Sequence, residues 1–375
     1  MITTSSWGRA LVWSLIAAAF IGPGTVTTAT RAGAGGGYGY LLIVALAAVA
    51  GYVFMEMAAR ITIVSGRSLG HHLRRRGRYL PAFTFTAVAF GCAAYQAGNL
   101  VGALGGLQLL FPGASRGWLL VLAGAVIGLL WSGNTRRVAR ALAYLVATMG
   151  LLFVVAAVRI AAGADLGGGA LPTESSLILG LIGTTIVPYN FFLAAGLGSE
   201  SSLLDMRRGL GLSFSVGSLI TAAILVVGTA AIGFQSFSDL ALTVVGVLGS
   251  YGTLVLAVGL FAAGFSSAAT APLAAAIAAR ELVDVKYGGT RFRVVWLGVL
   301  ISGLTVAFFE LDIIGVILAA QIVNGLLLPL IAAVVLYLAN RRELLGKHVN
   351  SGWQNGAGAL VLAFLVYKTL QFLVA

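Results

Sequence analysis

Ala10 to Ala29 is an apolar run long enough to cross a bilayer, and the tetrapeptide Gly22-Pro23-Gly24-Thr25 sits inside it. Glycine and proline at that depth break a helix and free backbone groups that need partners. Such a break is tolerated only where it is buried in protein or lines a cavity. A second break, Val187-Pro188-Tyr189-Asn190, interrupts another apolar run. Interrupted segments in corresponding halves of a chain place half-helix ends at a common site near the membrane midplane, as in secondary transporters. A functionless proline kink is the plainer explanation for either break alone; the pair favours a transport site.

The rest of the chain admits only a polytopic membrane protein. It is 59% hydrophobic and 9% charged over 375 residues, against about 25% charged in a soluble domain. The first apolar run lacks a cleavage site and is read as part of the fold. A single cysteine, Cys92, excludes an internal disulfide and a cysteine metal cluster. Runs of apolar residues predict eleven spans: 10–31, 39–63, 83–111, 117–132, 139–163, 176–198, 211–234, 244–279, 293–309, 311–339 and 357–374. Residues 1–375 therefore read as one transmembrane domain.

If the spans alternate, 19 of the 23 Lys and Arg fall on one side, crowded at Arg67, Arg74–Arg78, Arg136–Arg140, Arg207–Arg208, Arg280–Arg293 and Arg341–Lys347, with Arg9 and Arg60. Arg31, Arg116, Arg159 and Lys368 fall on or near the other. The positive-inside rule puts the N-terminus in the cytoplasm and the C-terminus outside the cell membrane. This asymmetry accounts for the net charge of +12 without a nucleic-acid partner. Breaks in spans 1 and 6 fit two inverted repeats, 10–163 and 176–339, with 357–374 an added helix. No nucleophile, base and orienting group come together, so an enzyme is not expected, nor is a cofactor; oligomeric state is left open.

The residues around the breaks resemble the Nramp family of divalent-metal transporters, a branch of the LeuT-type fold. Its members carry Asp-Pro-Gly-Asn in span 1, followed by Ala-Gly-Ala and an aromatic-Gly-Tyr stretch. This chain has Gly22-Pro23-Gly24-Thr25, Ala32-Gly33-Ala34 and Tyr38-Gly39-Tyr40. Met57-Ala58-Ala59-Arg60-Ile61 and Gly66-Arg67 match in span 2, Gly264-Phe265-Ser266-Ser267 in span 8, and Gln321 with Leu328-Pro329 in span 10. Span 6 reads Val187-Pro188-Tyr189-Asn190 where the family has Met-Pro-His-Asn. The resemblance implies an all-α membrane fold of five plus five inverted spans with helices 1 and 6 broken.

It also implies a site whose ligands have changed. The family's metal-binding Asp, Asn and Met and its proton-serving His correspond here to Gly22, Thr25, Val187 and Tyr189, and no metal-ligating set replaces them. The acid pair of span 3 aligns with Gln96 and Asn99, which cannot relay a proton by titrating. Mn²⁺ or Fe²⁺ wants imidazole, carboxylate or a soft ligand, and neutral oxygens alone leave a divalent ion uncompensated in a dry site.

Those losses suggest a small anion such as bicarbonate, held at the positive N-terminal end of the half-helix that starts near Thr25. Pro23, Gly24, Thr28, Pro188 and Asn190 complete the expected contacts with Gly22, Thr25, Val187, Tyr189 and Gln321. Ser266 and Ser267, with carbonyls near Ile21 and Gly22, form a candidate Na⁺ site for coupling; helix-packing serines are the simpler account. The alternative cargo is a divalent cation, Mg²⁺ or Mn²⁺-like, at carbonyls, Thr25, Asn190 and Gln321. The second alternative is a sensor or scaffold that no longer transports. Arg31 either attracts anions or snorkels to the interface. Glu56, the one acid well inside a span, is either a packed, hydrogen-bonded group or a functional one.

Overall fold

In the computed structural model the described residues are 21–132, 135–163, 172–192, 202–231, 233–249, 251–309 and 312–374, without the side chains of 135–143. The inner part of span 1, the far end of span 6, Arg9, the side chains of Arg136, Arg137 and Arg140, and the glycine loop 167–169 lie outside them. The described chain is helical: α1 Pro23–Gly36, α2 Leu41–Ser65, α3 Leu69–Arg74, α4 Tyr79–Leu110, α5 Gly117–Ser132, α6 Thr135–Ala162 and α7 Ser175–Thr185. It continues with α8 Leu203–Ala230, α9 Phe237–Leu248, α10 Tyr251–Val283, α11 Thr290–Phe309, α12 Ile313–Ala339, α13 Arg342–Leu345 and α14 Gly352–Val374.

Nine stretches among the described residues are long and apolar enough to cross a membrane, and one of them, Pro23–Ser65, holds α1 and α2 joined by a 3₁₀ turn at Gly37–Tyr40. α5 and α9 are shorter apolar helices. The predicted eighth span, 244–279, needs correction. Gly249, with φ +80°, ends α9, and α10 starts afresh at Tyr251. A left-handed residue stops a helix at little cost when it is glycine. No charge separates the two helices, so hydropathy runs through the break.

Glycines let the backbones of three helix pairs approach closely, as small residues do in membranes. A Cβ on Gly106 or Gly264 would strike the facing backbone between α4 and α10. Gly33 and Gly228 do the same between α1 and α8, and Gly183 and Gly325 between α7 and α12. These contacts hold α1 against α8 and α7 against α12, beside the α4–α10 pair, and the buried core runs through all of them.

Helix ends are closed locally. Ser68 and Ser202 cap α3 and α8 with their hydroxyls, and Ser236 and Asp239 form a reciprocal capping box on α9. At the opposite end of the molecule from the basic loops, arginines close the carbonyl ends. Arg116 donates to Phe308 O (3.0 Å) in the last turn of α11, and Arg159 to Val247 O (2.8 Å) in the last turn of α9. Arg31 donates to Phe234 O (2.8 Å), just beyond α8. Arg116 and Arg159 thus meet negative helix ends, while Arg31 is tied to a carbonyl of the α8–α9 connection.

Candidate functional site

α1 starts where the sequence allows it to. Pro23 occupies the first turn, where its fixed φ suits a helix and its missing N–H is no loss. Gly22, extended at φ −129° and ψ −175°, is the N-cap and offers no side chain; the first turn holds no acid. Pro23 fits against Gly102 of α4, where any Cβ would collide with its ring. Val26 N donates to Gly22 O (3.1 Å), leaving the N–H groups before it directed toward the break.

α7 ends at Thr185, with Ile186 N donating to Ile182 O (2.8 Å). Pro188 disfavours helical backbone at Val187, and the chain turns before Asn190 N donates to Val187 O (3.0 Å). The last carbonyls of α7 thus form a weakly negative end facing the weakly positive start of α1.

The two breaks touch. Thr25 Oγ1 and Thr184 Oγ1 are 2.9 Å apart. Around them close three further helices. Tyr95 of α4 brings its hydroxyl to 3.6 Å from where a Cβ on Gly22 would stand, and its ring meets Tyr189 edge-on with centroids 5.9 Å apart. Ser267 Oγ of α10 lies 3.3 Å from that same point. Gln321 of α12 fills the volume a Cβ on Gly24 would need, and Thr28 packs on Gly180 of α7. Thr25, Tyr95, Tyr189, Asn190, Ser267 and Gln321 are all buried.

The site is rich in polar atoms with no partner in the protein. They are the hydroxyls of Thr28, Tyr189 and Ser267, with Asn190 Oδ1 and Gln321 Oε1, while the Tyr95 hydroxyl bonds Thr184. Each such atom costs about 1–3 kcal/mol unless something bonds it, and a bound ligand or water would satisfy the cluster. Among the described residues no three His, Cys, Asp or Glu side chains gather anywhere, so a bound ion would meet neutral oxygens.

Several expected residues sit elsewhere. Ser266 Oγ donates to Ala263 O (3.1 Å) on its own helix, so Ser267 alone reaches Gly22. Gln96 points at Gly303 of α11, because adjacent helix positions diverge by about 100° and Tyr95 holds the site-facing one. The Gln96 amide and Asn99 Nδ2 are buried without partners. Val187 is buried, and Pro188 shapes the turn. Glu56 accepts from Arg60 Nε (3.2 Å) and Arg207 Nε (2.9 Å), and Arg60 also donates to Asn350 Oδ1 (2.5 Å) and to the His348 carbonyl. That network ties α2 to α8 and to the segment before α14, away from the breaks.

Sequence reading passed over Tyr95, Thr184 and Asn324. Asn324 lies on the Gln321 face of α12, three residues on, with Nδ2 unpartnered, and that spacing was a usable signal. Tyr95 and Thr184 carry none, being ordinary residues in apolar runs.

The profile of the family described as "Natural resistance-associated macrophage protein-like" matches residues 14–375. A relative named divalent metal cation transporter MntH, from Verminephrobacter eiseniae, is 26% identical over 95% of this chain and 88% of its own length. Another of that name, from Pectobacterium carotovorum, is 25% identical over 99% and 97%. A crystal structure of a manganese transporter variant from Eremococcus coleocola superposes with TM-score 0.81 at 18% identity, covering 99% of this chain and 87% of that one. Mhp1, a nucleobase-cation-symport-1 family transporter, superposes at 0.62 with 14% identity, over 97% and 92%. Those two likenesses speak for the LeuT-type fold, and the match along nearly the whole sequence shows that the chain belongs to the Nramp family of membrane transporters.

Proposed function

We propose that this transporter carries a small inorganic ion by alternating access through the site between the two breaks, and that the ion is a divalent cation. The names of its relatives support that class. The observation that carries it in this chain is the pair of buried amide oxygens without partners, Asn190 Oδ1 and Gln321 Oε1, beside the Thr25–Thr184 hydroxyls and the carbonyl end of α7. Oxygen donors suit a hard cation. With no carboxylate, imidazole or thioether at Gly22, Thr25, Val187 and Tyr189, the site favours one that keeps part of its water shell, Mg²⁺ before Mn²⁺. Retained water offsets much of the desolvation cost that argues against a bare ion at neutral ligands.

A small anion such as bicarbonate is the second reading, favoured by the uncapped, acid-free start of α1. Na⁺ at Ser267 and the Ile21 and Gly22 carbonyls would then drive it inward. Uptake into proteoliposomes of Mg²⁺, Mn²⁺ and bicarbonate, with and without a Na⁺ gradient, separates the two. The cation reading expects saturable Mg²⁺ uptake that falls at least tenfold in Gln321→Leu and ignores Na⁺. Bicarbonate uptake with no divalent flux would overturn it.

A further inference from the structure

Tyr337 lies near the end of α12, 41% exposed, and two guanidinium groups converge on its ring. Arg341, in the turn after α12, stands with Cζ 4.3 Å from the ring centroid and donates to the tyrosine hydroxyl. Arg76, from the loop between α3 and α4, stands at 4.5 Å. The ring attracts both cations without neutralising either. Among the described residues the ion pairs involve Arg60, Arg74, Arg207 and Arg280, and neither Arg76 nor Arg341 has an acid. Two arginines without an acid thus share one ring.

Beside them lies a shallow, open groove of about 480 Å³ along α12 facing Leu362 of α14, lined by Ala333, Leu336, Tyr337, Asn340, Arg341 and Leu362. Its floor of Ala333, Leu336 and Leu362 is apolar, and Ala333 is exposed at its side. Asn340 is engaged with Leu336 O (2.8 Å) and Asn355 (2.8 Å), so the arginines provide the open polar function. A free inorganic anion would use the rim and leave the floor wet. A ligand with an anionic phosphate and a hydrocarbon chain uses both.

We propose that this groove is a binding site for one anionic phospholipid, its phosphate between Arg76 and Arg341 and an acyl chain along the α12–α14 seam. Basic pockets between membrane helices recognise such headgroups. The bound lipid would bridge the α3–α4 loop, α12 and α14 at the end of the molecule where the basic loops gather.

Native mass spectrometry of the full chain in neutral detergent, titrated with phosphatidylglycerol or phosphatidylcholine, tests this. The wild type should retain one phosphatidylglycerol at concentrations where phosphatidylcholine is not held. The double variant Arg76→Gln/Arg341→Gln should weaken retention at least tenfold. Ala333→Trp, which fills the groove and spares both arginines, should do the same and decides the matter if the double variant does not fold. Arg293→Gln, at a single-cation contact over Trp131, should bind like the wild type. Equal retention of the two lipids, or undiminished retention in the double variant or in Ala333→Trp, overturns the proposal. So does a rise in Tm with inorganic phosphate alone that equals the rise with phosphatidylglycerol, since that describes a free-anion site.

Discussion

Gly22 and Gly24 stand two residues apart in the same break, yet their surroundings differ. A Cβ on Gly24 overlaps the Gln321 amide, whereas one on Gly22 finds Ser267 Oγ at 3.3 Å and Tyr95 OH at 3.6 Å, with φ in the ordinary extended region. Gly22→Asp therefore asks only small shifts of its neighbours and places a carboxylate at the cargo. For a divalent cargo, apparent affinity should rise at least tenfold, about 1.4 kcal/mol; for an anion, uptake should collapse. Transport kinetics of this one variant thus read the sign of the cargo's charge. Away from the breaks, Glu56→Gln would leave Arg60, 2% exposed, without its carboxylate. Breaking a buried pair costs about 3–5 kcal/mol. A thermal scan in detergent should show a clear loss of Tm, larger than for Arg207→Ala, whose side chain is 46% exposed. At this scale the sequence disclosed the residues of the breaks, because glycine and proline inside apolar runs have few other reasons to be there. Tyr95 and Thr184 were hidden because their role comes from packing between distant helices, which leaves no local pattern.

Among the elements, α3 carries the property most open to titration. His72 is buried and within 2.8 Å of Ser65 Oγ. Burial first, and then the charges of neighbouring groups, hold the His71 and His72 imidazoles below the usual histidine range. The sign follows from linkage. The folded chain binds fewer protons than the unfolded one once pH drops below the unfolded histidine value of about 6.5. The stability contribution is whole above that value and is lost as pH falls through it toward the depressed folded values. Between pH 7.5 and 5 the wild type should lose more Tm, or gain less, than His71→Gln/His72→Gln, the gap opening below about pH 6.5. Parallel curves for the wild type and the double variant would contradict the assignment. Long apolar helices were the most legible elements in the sequence; α5 spans residues 117–132, as hydropathy alone indicates. The α9–α10 boundary was not legible, since hydropathy averages over a left-handed glycine that changes direction without changing polarity.

For the whole molecule, the sharpest question is which end faces which compartment. Side-chain contacts sort the loops into two sets. Arg74 pairs with Asp284, and Arg76 and Arg341 share Tyr337, so the loops after α2, α10 and α12 lie at one end. Arg116 and Arg159 close helix ends in the other set and Arg31 bonds a connecting loop, each on a backbone carbonyl. The first set carries most of the basic residues and its arginines largely lack acids; in the second, the three arginines are engaged by backbone carbonyls. Free positive charge is what resists translocation, so the positive-inside rule predicts the first set to face the cytoplasm. Cys92, 1% exposed, gives a background that resists thiol reagents. Lys286→Cys is an exposed probe in the first set, and Gly113→Cys, where a Cβ meets open space, is one in the second. An impermeant maleimide applied to intact cells should label Gly113→Cys at once and reach Lys286→Cys only after permeabilisation. The reverse pattern would invert the molecule in the membrane. Labelling of both in intact cells would mean that the loops do not alternate as the eleven spans require, and would remove the parity on which two inverted halves, 10–163 and 176–339, depend.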